Sequence, residues 1–573
     1  MRINLFRLKN IFLASAWLMV LFATFKAAIW RLDTHHDGYV YLPTFLAKFG
    51  HLPPEYPKTV YGIAQPVTEN LIMYFIGSTF INYRTIALTI IFLTSFFIYK
   101  ISKNFTNNTK YSLVMALLWL SANPTWANAK NSKLIAIQES WPNLWIQFAT
   151  LLALLILQIN VSHKILLNLF VGFIAGTLPF FRIQGLFSSV LILIFILIIK
   201  GRIRYFVMGF GIALILWLII IRLNGGLDSY LTNILSVPVD GLNQYTTLTY
   251  ILNFCRGLIG YYLFIYWIYI SLNIVTNFVS RNRNLFRNYM KLKTTKMLYF
   301  ILTILVVPNI FSDYKLWIDT FDRHGSTFFL DLSLPFAIEI ILLNIYKKVK
   351  HKGNYISKEL FFSALGVLIN IVYQFPLPDL GHKWWSSAFS AIFLVLYFSV
   401  KPKENLTNEN NYLVSLLVII TICISIINIY FFTTIKYENI NNRNLTLYNG
   451  IQIPYYDKES LTKFFNSKEL INYLENNKID IDYFCRDGLY YINQSGFSSK
   501  SNEALDFVNL YKKSIHDGKN YVQFYCNYES LDKDLYISKE YIIFGNEKQD
   551  IFVFNNFEED EFSKISLIFS NRK

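Results

Sequence analysis

The chain has 573 residues, 54% of them hydrophobic and 18% aromatic, and a mean hydropathy of +0.35. No soluble fold hides that many Phe and Ile side chains, so composition places the chain among polytopic membrane proteins. The formal charge of +16 does not make it a nucleic-acid binder: the last 140 or so residues are slightly acidic, and the basic excess lies between apolar runs, where Lys and Arg set topology. The bilayer is the expected partner, and nucleic acid is excluded.

Taken in chain order, apolar stretches long enough to cross roughly 30 Å of hydrocarbon fall at residues 11 to 30, 84 to 99, 111 to 127, 142 to 160, 164 to 181, 186 to 199 and 205 to 221. Six more follow at 257 to 278, 297 to 311, 327 to 346, 359 to 375, 385 to 400 and 412 to 432, making about 13 transmembrane helices. The gaps alternate in basicity. Arg2, Arg7 and Lys9, then Lys100, Lys103 and Lys110, then Lys200, Arg202 and Arg204 mark one side, and Arg281 to Lys296 and Lys347 to Lys352 continue the series. By the positive-inside rule these are cytoplasmic, the N-terminus included, and an odd number of spans leaves the C-terminal tail outside. The first run has no small-residue cleavage site after it and is read as a retained helix.

The fold class expected is an α-helical polytopic membrane protein with a small C-terminal α+β extracytoplasmic domain. Residues 1–432 form the membrane module, with long outward loops at 31–83 and 222–256, and residues 433–573 form the tail. Pro43, Pro53, Pro54, Pro57 and Pro66 break the first loop into pieces that suit surface helices. Residues 70 to 82 are apolar but too short to span, as an interfacial or re-entrant segment would be. In the tail, 536–537 and 551–554 read as strands and 461–474 as a helix. Cys485 and Cys526 share the outward tail, where a disulfide is permitted and free thiols are the alternative.

Asp33, Thr34, His35, His36, Asp37 and Gly38 follow directly on the first span. Carboxylates at an outer interface act as general base toward an acceptor hydroxyl, or hold a cation that neutralises a phosphate leaving group. Neighbouring imidazoles bring positive charge to that phosphate or bind metal themselves. The competing reading is a solvated helix end capped by Asp; four ionisable groups within five positions favour the functional one. A divalent cation, Mg or Mn, would be held by Asp37 and His36.

This run, with Tyr61-Gly62-Ile63-Ala64-Gln65-Pro66 downstream, resembles the first outward loop of GT-C fold glycosyltransferases, in particular the polyprenyl-phosphate-sugar dependent family with a similar HHDG and a YGP-like element. Trp141-Pro142-Asn143, the stretch Gly176 to Gly185, and the stretch Gln374 to Trp385 look like further elements of that group. The likeness covers roughly residues 10 to 400. It implies that the acidic residue of the first outward loop is the catalytic or metal-binding carboxylate, which matches Asp37 best and Asp33 second. Many relatives carry a DE or DD pair there, whereas here two histidines precede Asp37, so the metal requirement is open. The resemblance adds Tyr61 to the expected substrate site.

Arg182, beside Gln184 at the outer end of its span, suits a bidentate grip on a lipid-linked phosphate, with a snorkelling anchor as the equal alternative. Asp379, His382 and Lys383 stand before Trp384 and Trp385, and His382 with Lys383 is read as lining the phosphate or sugar site. Asp331 and Glu339, eight residues apart in the tenth span, read as neighbours on similar faces of one helix. No Walker loop, GxGxxG, paired CxxC or GxSxG occurs, so the cytoplasmic side lacks a nucleotide-sugar site. The expectation is therefore a bacterial inner-membrane glycosyltransferase, moving a hexosyl or pentosyl unit from a polyprenyl-phosphate carrier to an envelope glycan or lipid acceptor on the periplasmic face. A polymerase of lipid-linked repeat units is the first rival, and a non-enzymatic transporter of lipid-linked sugars the second.

Overall fold

The computed structural model describes residues 14–21, 43, 44, 47, 62–77, 80–122, 141–158, 165–224, 226–228, 230, 231, 328–331, 333–349, 357–373 and 384–400, and in the tail 444–446, 452–454, 473, 476–485, 510, 511, 521–525, 541, 542 and 551–555. The expected spans at 257 to 278, 297 to 311 and 412 to 432 lie outside these residues. Residues 14–21 are helical, and Trp17 donates its Nε1 hydrogen to Ser95 Oγ at 2.9 Å.

The described helices are α1 (Ala64–Ile76), α2 (Phe80–Thr106), α3 (Thr109–Ser121), α4 (Pro142–Gln158), α5 (Ile165–Phe181), α6 (Gly185–Ile198), α7 (Ile203–Leu223), α8 (Phe328–Asp331), α9 (Ser333–Val349), α10 (Lys358–Val372) and α11 (Ala388–Val400). Local chemistry sets their ends. Asn107 takes the left-handed conformation that Asn tolerates (φ 54°), and Asn108 Oδ1 then caps α3 by accepting from Tyr111 N at 3.1 Å. Pro142 opens α4 where its missing N–H costs nothing. Ser357 caps α10 through Leu360 N, with Glu359 in the first turn facing the positive end of the helix dipole.

Helix α1 holds thirteen residues, about 20 Å at 1.5 Å per residue, too short to cross. Gln65, Glu69 and Met73 form its buried stripe, four residues apart, while Tyr74 and Phe75 project from its far end. Gly77 turns the chain at φ 95°, and Asn82 Nδ2 closes the turn by donating to Ile76 O.

Two described helical segments, Asn82–Thr106 and Ile203–Leu223, are long and apolar enough to cross a membrane. The second shows what surrounds it. Val207, Met208, Ile212, Ile215 and Ile219 point outward, whereas Gly209, Ala213 and Trp217 are buried against α5. A helix that exposes this many large apolar side chains along its outer face matches a lipid solvent and not water.

Helices α5 and α7 run in the same direction in backbone contact. A Cβ on Gly172 would stand 2.1 Å from Phe206 O, and one on Gly209 1.9 Å from Leu169 O. Higher up, Trp217 donates to Thr177 Oγ1 at 3.2 Å and stacks on Phe180, with ring centroids 5.8 Å apart. Pro179 inside α5 removes the N–H that would satisfy Ala175 O, and Ser189 Oγ of α6 supplies it instead at 2.6 Å.

Asp331 and Glu339 differ in burial. Asp331 ends the short α8 and is buried, whereas Glu339 is exposed on α9, whose first turn carries Pro335.

In the tail, Asn444–Thr446 (β1) pairs antiparallel with Gln452–Pro454 (β2). A five-stranded mixed sheet has the order β4-β3-β5-β7-β6, built from β3 (Asp480–Cys485), β4 (Leu510–Tyr511), β5 (Tyr521–Tyr525), β6 (Tyr541–Ile542) and β7 (Ile551–Asn555). The strand expected at 551–554 is present. The strand at 536–537 lies outside the described residues, as does the helix at 461–474 apart from Tyr473. Parallel pairing of β3 with β5 sets Phe484 opposite Tyr525, next to Cys485; Cys526 is outside the described residues.

Candidate functional site

The two ends of the bundle differ in chemistry. At one end Asn104 Nδ2 donates to Gln158 Oε1 at 2.9 Å, joining the last turns of α2 and α4. The α2–α3 and α6–α7 connections, with Lys103, Lys110, Lys200, Arg202 and Arg204, belong to the same end by helix direction. At the other end, where Arg84, Arg182 and Arg222 stand, polar hydrogen bonds and stacked aromatic rings predominate.

That second end is assembled from four segments distant in sequence. Gly62 N donates to Phe181 O at 3.0 Å, and a Cβ on Gly62 would fall 1.8 Å from Phe180 O, so only glycine permits the approach. Arg182 Nη1 donates to Asn143 Oδ1 at 3.1 Å. Trp145 stacks on Phe181 with centroids 5.6 Å apart, and Trp141 packs on Trp385 at 4.9 Å. Trp384 stacks on Trp119 at 4.8 Å and donates its Nε1 hydrogen to Trp119 O, while Gln147 Nε2 donates to Trp385 O.

Arg182 and Gln184 stand on the tight α5–α6 turn. Gly185 closes it by donating to Arg182 O at 2.7 Å, in a position where a Cβ would meet Leu178 O at 2.1 Å. From α10, Tyr373 braces the turn: its hydroxyl donates to Gln184 O at 3.0 Å and shares a 2.6 Å hydrogen bond with Ser188 Oγ. Tyr230, beyond α7, packs on Phe180, and burial pushes its phenol above the usual tyrosine range. The side-chain oxygens of Gln184 and Gln147 and the Trp119 indole N–H are buried without a hydrogen-bond partner among the described residues.

Of the residues the sequence nominated, Arg182 and Gln184 are described and lie at this end. Asp33, His35, His36, Asp37, Tyr61, Asp379, His382 and Lys383 lie outside the described residues. No group of three His, Cys, Asp or Glu side chains able to hold a metal occurs among the described residues, and Asp37 and His36, the expected cation ligands, are not among them.

Sequence reasoning missed Glu69. It is fully buried on α1, and its carboxyl accepts, among the described residues, from Thr44 Oγ1 at 2.6 Å, Trp145 Nε1 at 2.8 Å and Gln65 Nε2 at 3.2 Å. The available signal was a lone acid four residues after Gln65 inside an apolar run. Arg84 and Asp331 are the other charged side chains buried among the described residues.

The described helices thus define a helical membrane protein with one basic end and one aromatic, hydrogen-bonded end. No family model matches the sequence, and no curated protein matches it. In structure the chain is similar to ArnT from Cupriavidus metallidurans, solved bound to undecaprenyl phosphate; identity is 10%, the alignment covers 96% of this chain and 98% of that one, and the TM-score is 0.42. A likeness at that score decides nothing about activity, so function rests on this chain's own residues.

Proposed function

We propose that the chain is an inverting GT-C type glycosyltransferase of a bacterial inner membrane, with a polyprenyl-phosphate-linked sugar as donor and an envelope glycan or lipid as acceptor. One observation carries the reading: Gly62, Trp141 with Asn143, Phe181 with Arg182, and Trp384 with Trp385 meet at the end of the bundle opposite the basic loops. These belong to four of the five stretches that carry the family resemblance; the fifth, Asp33 to Gly38, lies outside the described residues. Chain connectivity supports the rest. Lys383 and His382 directly precede Trp384, within about 7 Å of its Cα at full extension. Asp37 is seven residues from Thr44, within about 25 Å.

Asp37, aided by Asp33, takes the proton from the acceptor hydroxyl. The acceptor oxygen then attacks the anomeric carbon as the bond from that carbon to the phosphate oxygen breaks, and polyprenyl phosphate leaves. His35, His36, Arg182, His382 and Lys383 meet the charge that grows on the departing phosphate, the effect that usually dominates such a barrier. Arg182 suits this task because Asn143 fixes one edge of its fork. The buried oxygens of Gln184 and Gln147 are acceptors for sugar hydroxyls, and Tyr61 and Asp379 complete the donor site. A divalent cation on Asp37 and His36 would neutralise the same phosphate. The α+β tail faces the periplasm.

Mass spectrometry of envelope glycans from strains with and without the gene tests the proposal. The expected result is loss of one sugar substituent; an unchanged composition, or a change only in polymer chain length, overturns it.

A further inference from the structure

Glu69 has no role in the transfer step as proposed, yet its fully buried carboxyl accepts hydrogen bonds from Thr44, Trp145 and Gln65. Its donors come from three places: Gln65 from its own helix, Trp145 from α4, and Thr44 from the segment between the acidic cluster and α1. Trp145 in turn stacks on Phe181, whose carbonyl accepts from Gly62 N. The chain from Thr44 to Gly62 is therefore fastened at both ends to the turn that carries Arg182, through Glu69 at one end and Phe181 at the other.

We infer that Glu69 is a positioning residue: with Trp145 it locks Thr44 against the α4–α5 platform, and since Asp37 stands seven residues before Thr44, within about 25 Å of chain, this anchor limits where the proposed base can stand. The inference rests on the proposed transfer reaction for its effect on rate, but not for the anchoring itself. Geometry distinguishes it from a catalytic base. An amide in place of the carboxyl keeps a carbonyl oxygen toward Gln65 and Trp145, and turns its NH2 toward the Thr44 hydroxyl, which can accept. Glu69→Gln therefore preserves the lock, whereas Thr44→Val and Glu69→Ala break it.

Hydrogen exchange of the full chain in detergent, read on peptides covering residues 38–61, measures the lock without activity. Steady-state transfer from a polyprenyl-phosphate-linked sugar measures its consequence. Thr44→Val and Glu69→Ala are expected to speed exchange in these peptides about tenfold or more, the worth of one hydrogen bond to a carboxyl, with α5–α7 peptides unchanged. They are also expected to lower kcat with little change in the donor KM. Glu69→Gln is expected to stay near wild type in both measurements. Wild-type exchange in Thr44→Val overturns the inference. So does a Glu69→Gln variant that exchanges like wild type yet transfers nothing, since Glu69 would then act on the reacting atoms. If the wild type transfers no sugar while the exchange pattern holds, the proposed function falls and the anchoring stands.

Discussion

Gly62 and Arg182 show how single positions build the aromatic end. Because a methyl group on Gly62 would overlap the Phe180 carbonyl, Gly62→Ala is expected to destabilise the protein by about 3 kcal/mol or to force the two segments apart, read as a lower Tm in detergent; an unshifted Tm would mean the two backbones do not touch. Arg182→Lys keeps the charge but loses the planar fork and the bond to Asn143, so kcat/KM for the lipid donor is expected to fall about tenfold or more with Tm unchanged. A wild-type kcat/KM would make Arg182 a membrane anchor only. Arg182 and Gln184 were legible in the sequence because polar residues stand out at the end of an apolar run. Glu69 was not: its partner Trp145 is 76 positions away, and no local pattern announces a hydrogen bond closed by tertiary packing.

At the scale of elements, the pairing of α5 with α7 rests on small residues and not on charge. Gly172, Gly176, Gly209 and Ala213 let two backbones approach until dispersion and the Trp217–Thr177 bond hold them. Two substitutions of the same kind on one helix separate this from a propensity effect. Gly209→Ala, which meets Leu169 O at 1.9 Å, is expected to lower Tm by several degrees, whereas Gly211→Ala, with nothing within 4 Å, is expected to leave it unchanged or slightly raised. Equal effects would contradict the packing. The sequence disclosed the helices through their length and apolar run, with starts expected at 111, 142 and 186 against Thr109, Pro142 and Gly185 in the structure. It did not disclose the partners, because a helix apolar on every side has no periodicity to say which face is buried.

Across the whole molecule, two independent patterns agree on polarity. The basic α2–α3 and α6–α7 connections lie at one end by helix direction, and four of the five resemblance-bearing stretches meet at the other through hydrogen bonds and stacked rings. Charge spacing made the first pattern readable in the sequence, since the positive-inside rule needs only the order of the loops. The second needed the fold, because residues 62, 143, 182 and 384 are brought together only by packing. The most direct test of the account is turnover of a polyprenyl-phosphate-linked sugar by the protein in proteoliposomes, wild type against Asp37→Asn, with release of free polyprenyl phosphate as the signal. The account predicts release coupled to acceptor glycosylation in the wild type, and at least about a hundredfold loss in Asp37→Asn at equal protein in the membrane. Undiminished release in Asp37→Asn, or glycosylation from a nucleotide sugar with no lipid carrier present, would contradict it.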